Sequence, residues 1–288
     1  MGHRVANADP SLKWRILSAI ILAPAVLALV VWGVWPFALL AAFAVVLLAV
    51  EWRHLMAARI DQRTGDVAGF AAGGSALFVL LLAALGLHEQ ALLLTLIGAA
   101  VAGLIAHLIG ASPFWTGLGV LYLSMPMLAM VWLRAVPGVG LAILLWLLLV
   151  VWATDIMAYF VGRQIGGRRL APSISPGKTW AGLWGGMAGA ACIGALTALM
   201  IGPFRLVPAI ALATCLAGVA QLGDLAESAL KRQAGVKDSG GLIPGHGGLL
   251  DRLDGLLFAA PCCSLHRFSL WWRWSSDGRD GHDLRPVC

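Results

Sequence analysis

Two polar stretches interrupt an otherwise apolar chain, and both carry residue types suited to phosphate chemistry. The later one runs QLGDLAESALKRQAGVKDSGGLIPGHGGLLDRLDG from Gln221 to Gly255. Asp224 closes an apolar span, where an ionisable residue is costly enough to point to a function. Ser228 and Lys231 follow at i+4 and i+7, so a helix sets all three on one face, with Arg232 flanking it and Glu227 somewhat aside. A carboxylate beside a hydroxyl and two cations is the donor set of a metal–phosphate site; a solvated helix end would carry similar charges. Further on, Pro244-Gly245-His246-Gly247-Gly248 predicts a tight backbone able to approach a phosphate. A helix starting after Gly248 would offer its first amides to an anion. It would also place Asp251 and Asp254, at i and i+3, where they help hold a divalent cation. Magnesium suits such hard oxygen donors. His246 has no His or Cys partner, so zinc is not expected, and a structural hydrogen bond is its alternative use.

The earlier stretch contains Asp155 near a span end and the segment Ser175-Pro176-Gly177-Lys178-Thr179. Gly-Lys-Thr invites a P-loop reading, but Pro172 stands where that motif requires glycine. Lys178 at the mouth of a span, beside a serine and a threonine, still suits an anionic headgroup or a nucleotide phosphate. A positive anchor at the membrane surface is the other use of such a lysine. With three or four carboxylates, about five cations and a glycine-rich turn, phosphoryl or nucleotidyl transfer assisted by Mg²⁺ is favoured over covalent catalysis.

The elements that position these groups are membrane helices. Charged residues make up only 12% of the 288 residues, hydrophobic ones 60%, and mean hydropathy is +0.87. Soluble domains carry about 25% charged residues, so this chain lacks the polar side chains to cover a water-facing surface. Spans are predicted near 16–34, 36–51, 67–86, 91–109, 114–133, 139–161, 179–201 and 206–226, each close to the roughly 20 residues a bilayer core requires. The expected fold is therefore all-α, a polytopic transmembrane helix bundle of about eight spans. The basic N-terminus before the first span reads as an uncleaved first helix rather than a removed leader. With that end inside, fourteen Lys and Arg fall on the cytoplasmic side and only Arg134 and Arg205 opposite, leaving the tail aside. That orientation puts every motif above on the cytoplasmic face. The net charge of +6 then reflects the membrane, with no arginine-rich arm or finger spacing to suggest nucleic acid. Five cysteines without a C-x-x-C pair predict no disulfide framework. The small-residue stripes Gly182/Gly186 and Gly185/Gly189 permit close helix packing, within the chain or across a homodimer.

Ser228-x-x-Lys231-Arg232, Lys237-Asp238, Leu242-Ile243-Pro244-Gly245-His246-Gly247-Gly248 and Asp251-Arg252-x-Asp254 together resemble the signature of the phosphatidate cytidylyltransferases, also called CDP-diacylglycerol synthases. Asp155, Ala158-Tyr159, Gly162-Arg163 and Ser175 to Trp180 look like that family too, and the likeness extends over residues 10–258. The resemblance implies that CTP and phosphatidate, with Mg²⁺, yield CDP-diacylglycerol and diphosphate in the cytoplasmic (inner) membrane. It also implies Asp224 and Asp251 as metal ligands supported by Asp254 and Asp155, and Lys178, Lys231, Arg232, Lys237 and Arg252 as phosphate binders. Candidate catalytic residues are then Asp224, Asp251, Lys231 and Lys237. Candidate substrate-binding residues are Ser175, Lys178, Thr179, Ser228, Arg232, His246 and Arg252.

The chain divides into N-terminal helices (1–160), a catalytic membrane region (161–258) and an atypical tail (259–288). After Ala260 the family pattern breaks. The apolar stretch Leu256–Leu265 is too short to span, which predicts a disrupted ninth helix or an interfacial segment. A shifted reading frame accounts for it: Trp271-Trp272-Arg273-Trp274 reads TGGTGGCGGTGG with arginine as CGG, and one base earlier this encodes Val-Ala-Val. Rival readings are a polytopic transporter and a homologue impaired by its tail. Transporters place charges mid-span in two halves, unlike this one-sided cluster. The D-x-x-D-G-x-x-A-R pattern of CDP-alcohol transferases begins at Asp251 but is not completed.

Overall fold

The computed structural model describes residues 24–200, 206–240 and 248–276, with side chains through residue 265. Helix α1 covers the described residues 24–32, so most of the first predicted span lies outside them. Then come α2 (Val34–Arg59), α3 (Gln62–Ala84), α4 (His88–Leu108), α5 (Pro113–Arg134) and α6 (Gly140–Ile165). A hairpin of β1 (Arg169–Ala171) and β2 (Ser175–Thr179) leads to α7 (Trp180–Met200), α8 (Leu206–Gln233) and α9 (Leu250–Ser276). Seven of these helices, α2 to α8, are long and apolar enough to cross a membrane. The protein is an all-α polytopic bundle.

Helix ends follow local chemistry. The short α2–α3 link ends at Asp61, whose side chain accepts from the Thr64 amide at 2.8 Å and caps α3. Those hydrogen bonds, the Thr64 amide first, hold the Asp61 carboxyl below the ordinary aspartate range. Pro113 opens α5 in the first turn, where its missing N–H costs nothing. Two helices run well past their predicted spans. Helix α2 continues past residue 51 to Arg59, because Trp52, Leu55 and Met56 are buried against the bundle and Arg53 pairs with Asp66 at 2.6 Å. Helix α8 continues to Gln233, so Asp224 lies well inside it.

Helices α2, α4 and α5 flank α3 or one another in the N-terminal half, while α6, α7 and α8 pack in series. Helix α9 lies against both α8 and α5 and so joins the halves. The small-residue stripes serve the α6–α7 seam. A Cβ at Gly185 would sit 2.5 Å from Val161 Cβ, one at Gly189 2.5 Å from Met157 Cγ, and one at Gly182 2.9 Å from the Ala158 carbonyl. These stripes are consumed inside the chain, not held out as a seam for a second copy.

The segment between α6 and α7 pairs as an antiparallel hairpin, with Arg169 opposite Thr179 and Ala171 opposite Ser175. The tail is helical, α9 running through Pro261 to Ser276 with its first half packed on α8 and α5 through buried Leu256, Leu257, Ala259, Ala260 and Cys263. However, α9 is not among the described helices apolar enough to cross a membrane, in line with the disrupted ninth span. Residues 277–288 lie outside the described residues.

Candidate active site

Asp155, Tyr159 and Arg163 recur every four residues on α6, so they form one stripe ending at the hairpin. The hairpin brings Arg169, Ser175, Gly177 and Lys178 over that stripe, and α8 supplies Gln221 and Asp224 from below. Together they line a pocket of about 670 Å³. Close approach of the helices beneath it depends on glycine: Gly162 and Gly182 face each other, and a Cβ at Gly186 would lie 2.6 Å from Gln221 Nε2. Thr179 is buried at the junction, its hydroxyl accepting from the Gly182 amide at 3.0 Å. It therefore caps α7 as well as lining the pocket.

Lys178 Nζ lies 2.6 Å from Asp224 Oδ2, and both side chains are partly screened from solvent. Asp155 is close enough to feel both charges. At the rim, the Arg163 guanidinium donates to Tyr159 Oη at 2.6 Å, and Arg169 donates to the Pro176 carbonyl. The pocket thus has one acidic floor and a basic lip.

Behind the floor lies a second, more buried cluster. Lys231 bridges Asp251 and Glu227, the latter at 3.3 Å. Asp251 Oδ2 also accepts the amides of Ser239 and Gly248, each at 3.1 Å. Burial alone would raise the Asp251 carboxyl, but these donors and the Lys231 charge hold its pKa below the usual carboxylate range. Asp254 neighbours both groups, its carboxyl lying within electrostatic reach of Asp224, Asp155 and Glu227. Ser228 Oγ donates to Asp224 Oδ1 at 3.4 Å, a long contact one turn along α8.

The expected residues are therefore split. Asp155, Ser175, Lys178, Thr179 and Asp224 meet at the pocket, and Lys231, Asp251 and Asp254 meet behind it. Arg232 reaches the Ile174 carbonyl at 3.4 Å and ties α8 to the hairpin turn. Lys237 and Arg252 are exposed, and His246 lies outside the described residues. Two expectations are corrected. Glu227 does not point aside: it is fully buried, because its face of α8 is covered by α9 and it is the i−4 partner of Lys231. The first amides of α9 do not await a substrate anion: those of Leu249 and Leu250 are taken by Glu51, and that of Gly248 by Asp251. Glu51, Arg169 and Gln221 were missed as site residues. For Glu51 a signal existed, an acid following a long apolar run, the same cost argument that singled out Asp224.

The donor set suits a hard cation. Among the described residues no three His, Cys, Asp or Glu side chains converge as a closed metal cage. Instead, Asp224 and Asp251 each hold an ammonium group, so each already attracts a cation. Asp224, partly exposed at the pocket, leaves a carboxylate open to a hard cation such as magnesium, which takes one or two carboxylates and completes its shell with waters and substrate phosphates. Both oxygens of Asp251, by contrast, are engaged by Lys231 and backbone amides.

Helical spans around an acidic, lysine-bridged pocket at one end of the bundle define an integral membrane protein built for phosphate chemistry. The model of the cytidylyltransferase family matches residues 13–269, and the chain belongs to that family. It is 39% identical over 253 residues to the phosphatidate cytidylyltransferase of Brucella abortus biovar 1 (strain 9-941), covering 87% of this chain and 91% of that one. The phosphatidate cytidylyltransferase of Pseudomonas aeruginosa is 36% identical over 272 residues, 91% of this chain and 98% of its own. That of Bacillus subtilis is 41% identical over 145 residues, about half of each chain.

Proposed function

We propose that this protein is a phosphatidate cytidylyltransferase, joining CTP and phosphatidate to give CDP-diacylglycerol and diphosphate in phospholipid biosynthesis. The observation that carries the reading is the Lys178–Asp224 pair on the floor of a basic-lipped pocket at the end of a membrane bundle. A nucleotide reaches such a pocket from water and a lipid headgroup reaches it from the bilayer. Lys178, Arg163 and Arg169 are placed to bind phosphate oxygens. A phosphatidate oxygen attacks the α-phosphorus of CTP in line, and the bond to the β-phosphate breaks to release diphosphate. A phosphate monoester is largely ionised at neutral pH, with a second pKa of about 6, so the nucleophile needs no strong base.

Asp224 and Asp251 would hold Mg²⁺, with Asp254 and Asp155 beside them. When bound, the ion neutralises charge on the triphosphate and on the leaving group. The excess of Lys and Arg at the site end supports a multi-pass protein of the cytoplasmic (inner) membrane with its pocket facing the cytoplasm. The pocket is lined by residues of a single chain.

The test is direct. The full chain, purified in detergent, receives radiolabelled CTP, phosphatidate and Mg²⁺, with Asp224→Asn and Asp251→Asn as controls. A lipid-extractable cytidine product that both substitutions abolish is expected. A folded protein that makes none removes the assignment.

A further inference from the structure

Glu51 belongs to α2, far from both polar stretches along the chain, yet it is fully buried. Its carboxylate is surrounded by donors from the other end of the protein. Oε2 accepts from Ser239 Oγ at 2.9 Å and from the Leu250 amide at 2.8 Å, and Oε1 accepts from the Leu249 amide at 2.7 Å. The surrounding backbone leaves no room for side chains. A Cβ at Gly240 would lie 3.0 Å from Glu51 Oε1, and one at Gly248 would lie 2.9 Å from Glu51 Oε2 and 1.9 Å from Ser239 Oγ.

Glu51 thus grips the chain on both sides of 241–247 and also holds the start of α9. The helix-end amides favour this negative charge, and the charge in turn is kept buried by three donors. Ser239 carries the connection onward, because its hydroxyl donates to Glu51 while its amide donates to Asp251. Gly248 lies between the same two carboxylates and gives its amide to Asp251.

We infer that Glu51 is a positioning residue for the cytidylyl transfer: through Ser239 and the first turn of α9 it sets the orientation of Asp251. The inference rests on the proposed function for its kinetic part only. Glutamine fits the same space but offers a single acceptor oxygen and turns an NH₂ toward one of the donors, so the grip loosens without a cavity.

The test uses the full chain in detergent, comparing wild type, Glu51→Gln and Ser239→Ala at equal amounts of folded protein. For Glu51→Gln, kcat falls by roughly 10- to 100-fold, the range seen when groups supporting a metal ligand are removed. KM for CTP and phosphatidate stays close to wild type, and the Mg²⁺ concentration for half-maximal rate rises. Without substrate or metal, amide hydrogen exchange of Leu249 and Leu250 speeds up while that of α6 and α7 is unchanged. Ser239→Ala shows the same pattern in smaller degree and serves if Glu51→Gln does not fold. Wild-type kcat per folded molecule, or a lost kcat with no change in exchange at Leu249 and Leu250, overturns the inference. An inactive wild type would instead remove the proposed function, and the exchange result would still decide whether Glu51 holds α9.

Discussion

Lys178 Nζ stands 2.6 Å from Asp224 Oδ2, so the last residues of the hairpin are fastened to the middle of α8 across the pocket floor. The pair balances charge in the absence of substrate. On the proposed function, an entering triphosphate would offer the ammonium anionic oxygens to bind and would free the carboxylate for a cation. Asp224→Asn is therefore expected to lower kcat by about 100-fold or more, equivalent to several kcal/mol of lost charge stabilisation. Lys178→Gln should raise KM for CTP as well as lower kcat. Incorporation of labelled cytidine into lipid measures both, and near-wild-type rates for either variant would contradict the placement of the pocket.

Gly248 is hemmed in by Ser239, Glu51 and Asp251, with its own Cβ position only 1.9 Å from Ser239 Oγ. Gly248→Ala must displace the start of α9. A destabilisation of about 1–3 kcal/mol, the usual range for overpacking, is expected together with loss of activity. Thermal unfolding in detergent and the cytidylyl assay check the two effects.

The α6–α7 seam makes a similar demand in the bilayer. Gly185→Leu forces a side chain into Val161 and should separate α6, which carries Asp155, from α7, whose first turn follows Lys178 of β2, lowering both stability and activity. Gly218, on α8, has open space around it, so Gly218→Ala should be neutral or slightly stabilising, as alanine favours helix over glycine. Equal damage from both substitutions would argue against the seam.

Asp61 gives a pH-dependent contribution of known sign. Its folded pKa is depressed by the α3 cap, so the stabilisation is present above the unfolded aspartate value of about 3.9 and is lost as pH falls through the lower folded value. Asp61→Ala should therefore unfold at a lower temperature than wild type near neutral pH, and the gap should narrow as the solution is acidified below pH 4. A gap that widens in acid would contradict the cap.

Orientation is tested by labelling. With the native cysteines replaced, a membrane-impermeant thiol reagent should reach Lys237→Cys from the cytoplasmic side and Pro137→Cys from the opposite side. Both positions are exposed, and they lie at opposite ends of the bundle. Labelling of both from one side would overturn the topology.

Much of this architecture could be read residue by residue. The spans were legible because lipid requires long uninterrupted apolar runs that satisfy their own backbone, a constraint written locally along the chain. The shared helical face of Asp224, Ser228 and Lys231 was legible from spacing alone, although the structure divides Asp224 and Lys231 between two clusters. The family likeness was carried by the types and spacing of residues between Ser228 and Asp254, which no packing detail could alter. Which partner each charge meets was another matter. Spacing on α8 could not tell that α9 would cover Glu227, nor that Lys231 would turn to Asp251 rather than to an open phosphate site. Nothing near Glu51 in sequence announces donors from Ser239, Leu249 and Leu250, or that those amides would already be satisfied. Such contacts join segments remote along the chain and exist only once α9 packs between α5 and α8. Helix and span are local properties of the polypeptide, whereas a buried carboxylate takes its partners from whatever the folded bundle brings beside it.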